Sequence, residues 1–330
     1  MTYFFHFATI LSAASLLFPL HPPTASTIAY RVDYLYYFLT AFTLFFTFGI
    51  FAVILYFMIK YRRRSDDDVP EEVKTSIPLE LAWTLIPAAI CAFIFFWSSS
   101  LFFRNSRPPT NSTEIFVVGK QWMWQLQHAN GAREIGQLHV PLNVPIKLTM
   151  TSEDVIHDFF VPAFRVKEDV LPGRYTSIWF QATQLGIFPF ECAQMCGALH
   201  SSMRGEVIVM KPDDFAHWLS SNAPAQTMSS TGEQLFSHLG CVSCHMDDTS
   251  GKYPQLAGVY GHQVTLRSGA RVTVDESLIR SAIVNPNAQP LAGYAASMPS
   301  FQGQIDEVQL LDLIAYIKTL GSRQKEAALR

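Results

Sequence analysis

Two long uncharged stretches dominate the hydrophobic pattern in the first third of the chain. No charged residue lies between Asp33 and Lys60, and the run from Leu81 to Phe103 is uncharged as well. Each is long enough to cross a hydrocarbon layer of roughly 30 Å, so the pattern predicts two membrane-spanning helices within residues 27–105. Residues 3 to 20 are also apolar but carry no Lys or Arg at their start. A removed secretory signal and an uncleaved interfacial segment therefore both stay open for residues 1–26. Lys60-Tyr61-Arg62-Arg63-Arg64 abuts the first span, and a basic cluster in that place marks the cytoplasmic side. The acidic run Asp66-Asp67-Asp68, with Glu71 and Glu72, reads as the solvated connection of the hairpin. Everything beyond Arg104 is then expected outside the cytoplasm.

After the hairpin the period changes. Glu114 to Val118, Pro145 to Met150, Tyr175 to Phe180 and Glu206 to Met210 read as short alternating or β-branched strands between Gly, Pro and Asn turns. Such spacing predicts an all-β sandwich or barrel over residues 106–219, closed by a short helix at Phe215-Ala216-His217-Trp218-Leu219. Residues 220–230 are rich in Ser, Ala, Pro and Gln without apolar periodicity and read as a flexible tether. Thr231-Gly232-Glu233-Gln234 fits a capping box and predicts that a helical domain, 231–330, starts there. Its closing helix takes an apolar face from Val308, Leu311, Ile314, Ala315 and Ile317, with Tyr316 placed to pack near Phe236.

Composition narrows the class. A net charge of -3, 13% aromatic and only 15% charged residues favour a membrane protein and give no reason to expect nucleic acid. The five cysteines are an odd count and not a disulfide framework: Cys91 sits in an apolar run and the other four form two spaced pairs.

One pair lies in Cys241-Val242-Ser243-Cys244-His245, the spacing of c-type haem attachment. Both thiols can bond the haem vinyl groups while His245 turns onto the iron. A zinc or redox motif is the alternative for the bare pentapeptide. Methionine suits the other axial position in an electron carrier. Met246 adjoins the proximal histidine and cannot reach the opposite face, so Met298 in Gly293-Tyr294-Ala295-Ala296-Ser297-Met298-Pro299 is the candidate. The other pair opens Cys192-Ala193-Gln194-Met195-Cys196-Gly197-Ala198-Leu199-His200-Ser201-Ser202-Met203. Two thiols, an imidazole and a thioether on one short loop are soft or borderline ligands that suit copper. A Cys192–Cys196 disulfide is the plainer alternative in an oxidising compartment.

With its flanks, this loop resembles the binuclear copper loop of cytochrome c oxidase subunit II. The resemblance implies two bridging thiolates, Cys192 and Cys196, with one terminal histidine per copper. It further implies a weak methionine ligand at Met203 and a backbone carbonyl ligand at Gln194. His200 supplies one imidazole. Ser152-Glu153-Asp154-Val155-Ile156-His157-Asp158-Phe159 resembles the family segment that supplies the other, His157. Ile77-Pro78-Leu79-Glu80-Leu81-Ala82-Trp83 resembles the start of the family's second membrane helix, where the glutamate matching Glu80 stands at the mouth of a proton path. Gly119-Lys120-Gln121-Trp122-Met123-Trp124 brings Trp122 to the position of the family's surface aromatic, through which electrons enter, whereas Trp124 reads as core. Two tryptophans on a strand would otherwise suggest packing alone. Asp169-Val170-Leu171-Pro172-Gly173-Arg174 resembles the turn that faces the catalytic subunit. Pro254-Gln255-Leu256-Ala257-Gly258 and the Met298 segment resemble those of bacterial cytochromes c.

The implied architecture is a two-helix transmembrane hairpin, a cupredoxin-like all-β domain and an all-α class I cytochrome c domain. The implied function is an electron relay in a haem–copper terminal oxidase of a bacterial cytoplasmic membrane, with copper and haem domains on the periplasmic side. Electrons would come from cytochrome c or another respiratory complex, pass haem c and the binuclear copper, and reach catalytic subunit I, with further oxidase subunits as partners. No oxygen-reducing site is visible in this chain. Gln194 departs from the family, where a glutamate side chain also binds magnesium at the subunit boundary; a neutral amide predicts a magnesium site that is weak, water-bridged or absent. Two other readings use related motifs: the copper and haem c subunit of a membrane nitric oxide reductase, and a copper-delivery protein of thioredoxin fold.

Overall fold

The computed structural model describes residues 21–65, 75–224, 227–245, 252–295 and 297–328. The acidic hairpin connection, Met246 and residues 1–20, over which signal and interfacial readings differ, lie outside the described residues. The chain divides into two compact units, Met1–Arg107 and Pro108–Arg330.

The first unit holds helices α1, Thr27–Lys60, and α2, Ile77–Asn105. Helix α1 starts at Ser26, whose hydroxyl accepts from the Ala29 amide at 2.9 Å. At 34 residues α1 is about 50 Å long, more than a hydrocarbon core requires. Helix α2 opens with Pro78 in its first turn and keeps Pro87 inside. Phe38 meets Phe93 and Trp97, at ring separations of 5.9 and 5.4 Å. Most of the remaining apolar side chains of both helices face outward, as lipid-facing surfaces do.

The second unit begins with a sandwich of two five-stranded sheets. One has strand order β3-β2-β1-β5-β8 and the other β4-β10-β9-β6-β7. The strands of the first are β1 (Thr113–Lys120), β2 (Met123–His128), β3 (Arg133–Ile135), β5 (Pro145–Ser152) and β8 (Thr176–Gln181). The second comprises β4 (Gln137–Pro141), β6 (His157–Val161), β7 (Val166–Val170), β9 (Gly186–Cys192) and β10 (Arg204–Met210). Each sheet contains one parallel pair, β1 with β5 and β10 with β4. Ile115, Val117, Leu126, Leu148 and Phe159 are fully buried between them. Helix α3, Pro212–Ser221, closes the sandwich.

Its anchor is a buried polar cluster. Glu134 accepts from His128 at 2.8 Å and lies 2.5 Å from His139, whose ring stacks on Trp218 of α3 at 4.3 Å.

The haem-motif region comprises α4 (Met228–His238), α5 (Val242–His245), α6 (Glu276–Val284) and α7 (Glu307–Ala328). A small hairpin of β11 (Gln263–Thr265) and β12 (Arg271–Thr273) is added to this helical domain. Helix α4 starts one turn earlier than the capping box predicts: Thr227 is the cap and accepts from the Ser230 amide at 3.2 Å, while Thr231 lies inside the helix. Met228 explains the extra turn, since it is buried in the domain's core. Helices α4 and α7 cross at Gly232, where a Cβ would stand 2.0 Å from the Asp312 carbonyl oxygen. Phe236 meets Tyr316 across this crossing at 5.3 Å, as the sequence predicts.

Candidate copper and haem sites

Three pieces of the sandwich meet at one end. Strand β9 runs antiparallel to β6, with Cys192 opposite Phe159, so the last residue of β9 comes beside His157, the first residue of β6. The loop from Ala193 to Met203 turns back over this end before β10. Cys192, Cys196, Met203 and His157 are all buried, and His157, Cys192 and Cys196 form the metal-competent group among the described residues.

Both cysteines are free thiols, with sulfurs 3.7 Å apart, so the disulfide reading is not followed. Cys196 Sγ lies 3.8 Å from Met203 Sδ and 3.5 Å from His200 Nδ1; Cys192 Sγ lies 4.0 Å from His157 Nδ1 and 3.2 Å from the Gln194 carbonyl oxygen. Two donors each about 2.3 Å from one tetrahedral metal stand about 3.8 Å apart. The donor spacing and the sulfur-rich chemistry therefore fit a copper pair, with both thiols between the two imidazoles. Burial opposes the Cys192 thiolate, but hydrogen bonds with His157, Asp158 and Gln194 outweigh it and lower its pKa. Burial raises that of Cys196, as does the hydrogen bond with Cys192. A bound cation would displace that second proton.

Residues around the donors fix their aim. Asp154 Oδ1 accepts from His157 Nε2 at 2.8 Å, leaving Nδ1 turned toward the thiols. Asp154 Oδ2 accepts from the Gln121 amide at 2.7 Å, and the Gln121 side chain donates to the Cys196 carbonyl at 2.7 Å. Asp154 and Gln121 are positioning residues that lie within the sequence motifs but carry no signal of that role there. Their position beside the loop comes from long-range pairing, which ligand spacing does not encode. Trp122 is half-buried against the loop, where a Cβ on Gly197 would stand 3.1 Å from its ring, and its Nε1 is buried with no hydrogen-bond partner among the described residues. Trp124 is core, 1% exposed, with its ring edge-on to His157 and Phe159. Glu80 is an exposed residue of the first turn of α2.

The Gln194 side chain is exposed and uncharged. Among the described residues, no second group of three His, Cys, Asp or Glu side chains converges that could hold magnesium.

In the helical domain two adjoining cavities, of about 120 and 240 Å³, share Cys241, His245, Pro254, Leu291, Met298 and Phe301 in their walls. His245 Nδ1 donates to the Pro254 carbonyl at 2.9 Å, which leaves Nε2 as the nitrogen free for a metal. A largely apolar cavity with an imidazole and a thioether in its walls and both thiols of the attachment motif at its edge fits haem c. Met298 and His245 thus line one pocket.

Fold and sites together define a membrane-anchored copper β-sandwich fused to a c-type cytochrome. Comparison with known proteins makes the class specific. Residues 15–101 match the transmembrane domain of cytochrome c oxidase subunit II, 133–211 match its periplasmic domain, and 229–321 match cytochrome c. Cytochrome c oxidase subunit 2 of Thermostichus vulcanus is 31% identical over 232 residues, 53% of this chain and 70% of that protein. The subunit of the same name from Alkalihalophilus pseudofirmus is 27% identical over 284 residues, 82% of each chain. The crystal structure of the periplasmic domain of subunit II from Bradyrhizobium japonicum is 30% identical, covering 35% of this chain and 96% of that one with a TM-score of 0.34. The chain belongs to the cytochrome c oxidase subunit II family and carries a cytochrome c domain at its carboxyl end. That family implies a binuclear copper centre, the cytochrome domain implies haem c, and the subunit serves an oxidoreductase complex with catalytic subunit I.

Proposed function

We propose that this chain takes electrons from a respiratory donor at haem c and passes them through the binuclear copper to the haem of catalytic subunit I for oxygen reduction. The observation that carries the reading is the convergence of His157, Cys192, Cys196, His200, Met203 and the Gln194 carbonyl at one end of a sandwich whose own chain continues into a haem pocket. When bound, the two metal centres supply one-electron redox chemistry. The protein's part is to hold the donors and exclude water. Cys192, Cys196, His157, His200 and Met203 would hold the copper, and burial of the Cys192, Cys196 and Met203 side chains would keep the ligand cage from rearranging as its charge changes. In the haem pocket Cys241 and Cys244 would anchor the group and His245 and Met298 would hold its iron, while the Pro254 carbonyl orients His245.

In this reading Trp122 is the aromatic beside the copper loop through which electrons enter the copper site, and Glu80 opens a proton path. The basic segment after α1 lies in the cytoplasm and the second unit in the periplasm of a bacterial membrane. Residues 27–105 form the anchor, 106–221 the copper domain and 228 onward the haem domain, so the connection expected over 220–230 narrows to residues 222–227.

The test is the purified complex. Two coppers per chain with a delocalised mixed-valence paramagnetic spectrum, one covalent haem c, and loss of the copper spectrum alone in Cys192→Ser are expected. Oxygen rather than nitric oxide consumption separates it from a nitric oxide reductase. A single copper, or a copper site that survives Cys192→Ser, defeats the assignment.

A further inference from the structure

Strand β1 is buried on both faces. Ile115 and Val117 point into the sandwich, while Phe116 and Val118, 4% and 3% exposed, point away from it and are covered all the same. Their cover is the haem domain: Phe116, Val118 and Tyr175 share one apolar cluster with Ile279 and Ile283 of α6 and with Leu310 and Ile314 of α7.

At the edge of this cluster four charges close a ring of alternating sign. Lys147 meets Glu114 at 2.8 Å within the copper domain, and Lys318 meets Glu276 at 2.8 Å within the haem domain. Across the interface Lys318 reaches Glu114 at 2.9 Å and Lys147 lies 4.0 Å from Glu276. Each ion pair is neutral by itself. Set side by side in opposite sense, they give every charge two neighbours of opposite sign. Thr149 donates to Glu114 at 2.7 Å and Tyr260 to Glu276 at 2.6 Å, so the partly buried carboxylates are also hydrogen-bonded. A second tie stands away from the ring, where Arg280 donates to the Gly173 carbonyl at 2.8 Å and pairs with Glu307.

We propose that the outer face of β1, β5 and β8 is the fixed seat of the chain's own haem domain, locked by the Glu114–Lys147–Glu276–Lys318 ring, and that electrons cross from the haem pocket to His157 through strand β1. The transfer half of this statement rests on the relay reading above. Its geometry is contiguous. Ile279 and Ile283 line the haem cavity and pack in the cluster that contains Val118. The next residue, Gly119, has no side chain, and a Cβ there would stand 3.0 Å from the His157 ring. Strand β1 thus runs from the apolar cluster behind the pocket wall to the backbone beside a copper ligand. One electron leaves the ferrous haem, which becomes ferric, and reduces the copper pair by one; no bond and no proton is exchanged.

Hydroxyl-radical footprinting of the full chain in detergent reads the seat without using activity. In the parent protein Phe116 and Tyr175 are expected to be protected to the level of the core residue Trp124. Glu114→Lys puts a third positive charge into the ring from the copper side, where it leaves the haem fold untouched. Labelling of Phe116 and Tyr175 should then rise several-fold with Trp124 still protected and both centres spectrally intact. The haem-to-copper transfer rate after flash reduction should fall at least tenfold. If Glu114→Lys exposes Trp124, Glu114→Gln replaces it, with a smaller change in the same direction expected. Equal labelling of Phe116 and Tyr175 in parent and variant, or an unchanged transfer rate once they are exposed, overturns the proposal. Absence of the copper spectrum from the parent protein would instead overturn the relay reading and leave the footprint to decide the seat.

Discussion

Asp154 holds His157 from behind: its carboxylate accepts from Nε2 at 2.8 Å, so the ring offers Nδ1 to the thiols. The same carboxylate takes the Gln121 amide at 2.7 Å, which ties the turn after β1 to the copper end. Removing a support of this kind costs roughly 10- to 100-fold in metal affinity. Asp154→Ala is therefore expected to weaken copper binding within that range and to perturb the mixed-valence spectrum, while β-sheet circular dichroism stays unchanged. Competition against a calibrated chelator measures it. Unaltered affinity would reduce Asp154 to a loop contact.

Met298 lies in the wall of the haem pocket together with His245, whereas the attaching thiols are those of Cys241 and Cys244. Met298→Ala should keep haem bound through Cys241 and Cys244 and lower its reduction potential, since a thioether ligand raises the potential. A spectroelectrochemical titration reads the shift. An unchanged potential would locate the sixth ligand elsewhere.

Much of both sites was legible because their donors are close in sequence. Cys192 to Met203 and Cys241 to His245 each bring a ligand set into one loop or turn, and spacing reads such sets directly. What could not be read this way depends on contacts far along the chain. Gln121 lies 75 residues from its partner Cys196. The strand reading over Glu114 to Val118 expects alternation, yet Ile115, Phe116, Val117 and Val118 are all buried. That continuous apolar run was the available signal, because a strand covered on both faces needs no polar side. Helix α4 begins at Thr227 and not at Thr231 for a related reason: both residues are competent caps, and tertiary burial of Met228 chooses between them. Trp124, by contrast, is core as its size suggests.

Gln194 offers its carbonyl to the Cys192 thiol at 3.2 Å, and that role is independent of its side chain. Gln194→Glu should leave the copper spectrum nearly unchanged. In the assembled complex it should increase bound magnesium or manganese, because a hard cation gains most from a carboxylate. Metal analysis with manganese paramagnetic resonance checks this. Tight native binding through the amide, with no gain in the variant, would show that charge at this position does not govern the ion.

Asp312 is a carboxylate sealed between the two domains of the second unit, with 2% of its side chain exposed. Gln127 Nε2 donates to it at 3.3 Å, and Arg133 lies 3.7 Å away. Burial raises its pKa to about 6 from 3.8, against the pull of Arg133 and the Gln127 hydrogen bond, with Asp306 adding to the rise. The folded pKa is above the unfolded one, so the protonated form is favoured by folding. Its contribution to stability is full below about pH 3.8 and is lost as pH rises through about 6. Asn keeps an acceptor for Gln127 and removes the buried charge. Asp312→Asn is thus expected to raise the melting temperature of the second unit by several degrees at pH 8 and to have little effect at pH 4. Calorimetry at the two pH values decides it. A variant destabilised at pH 8 would mean that the Arg133 pair outweighs desolvation at this site.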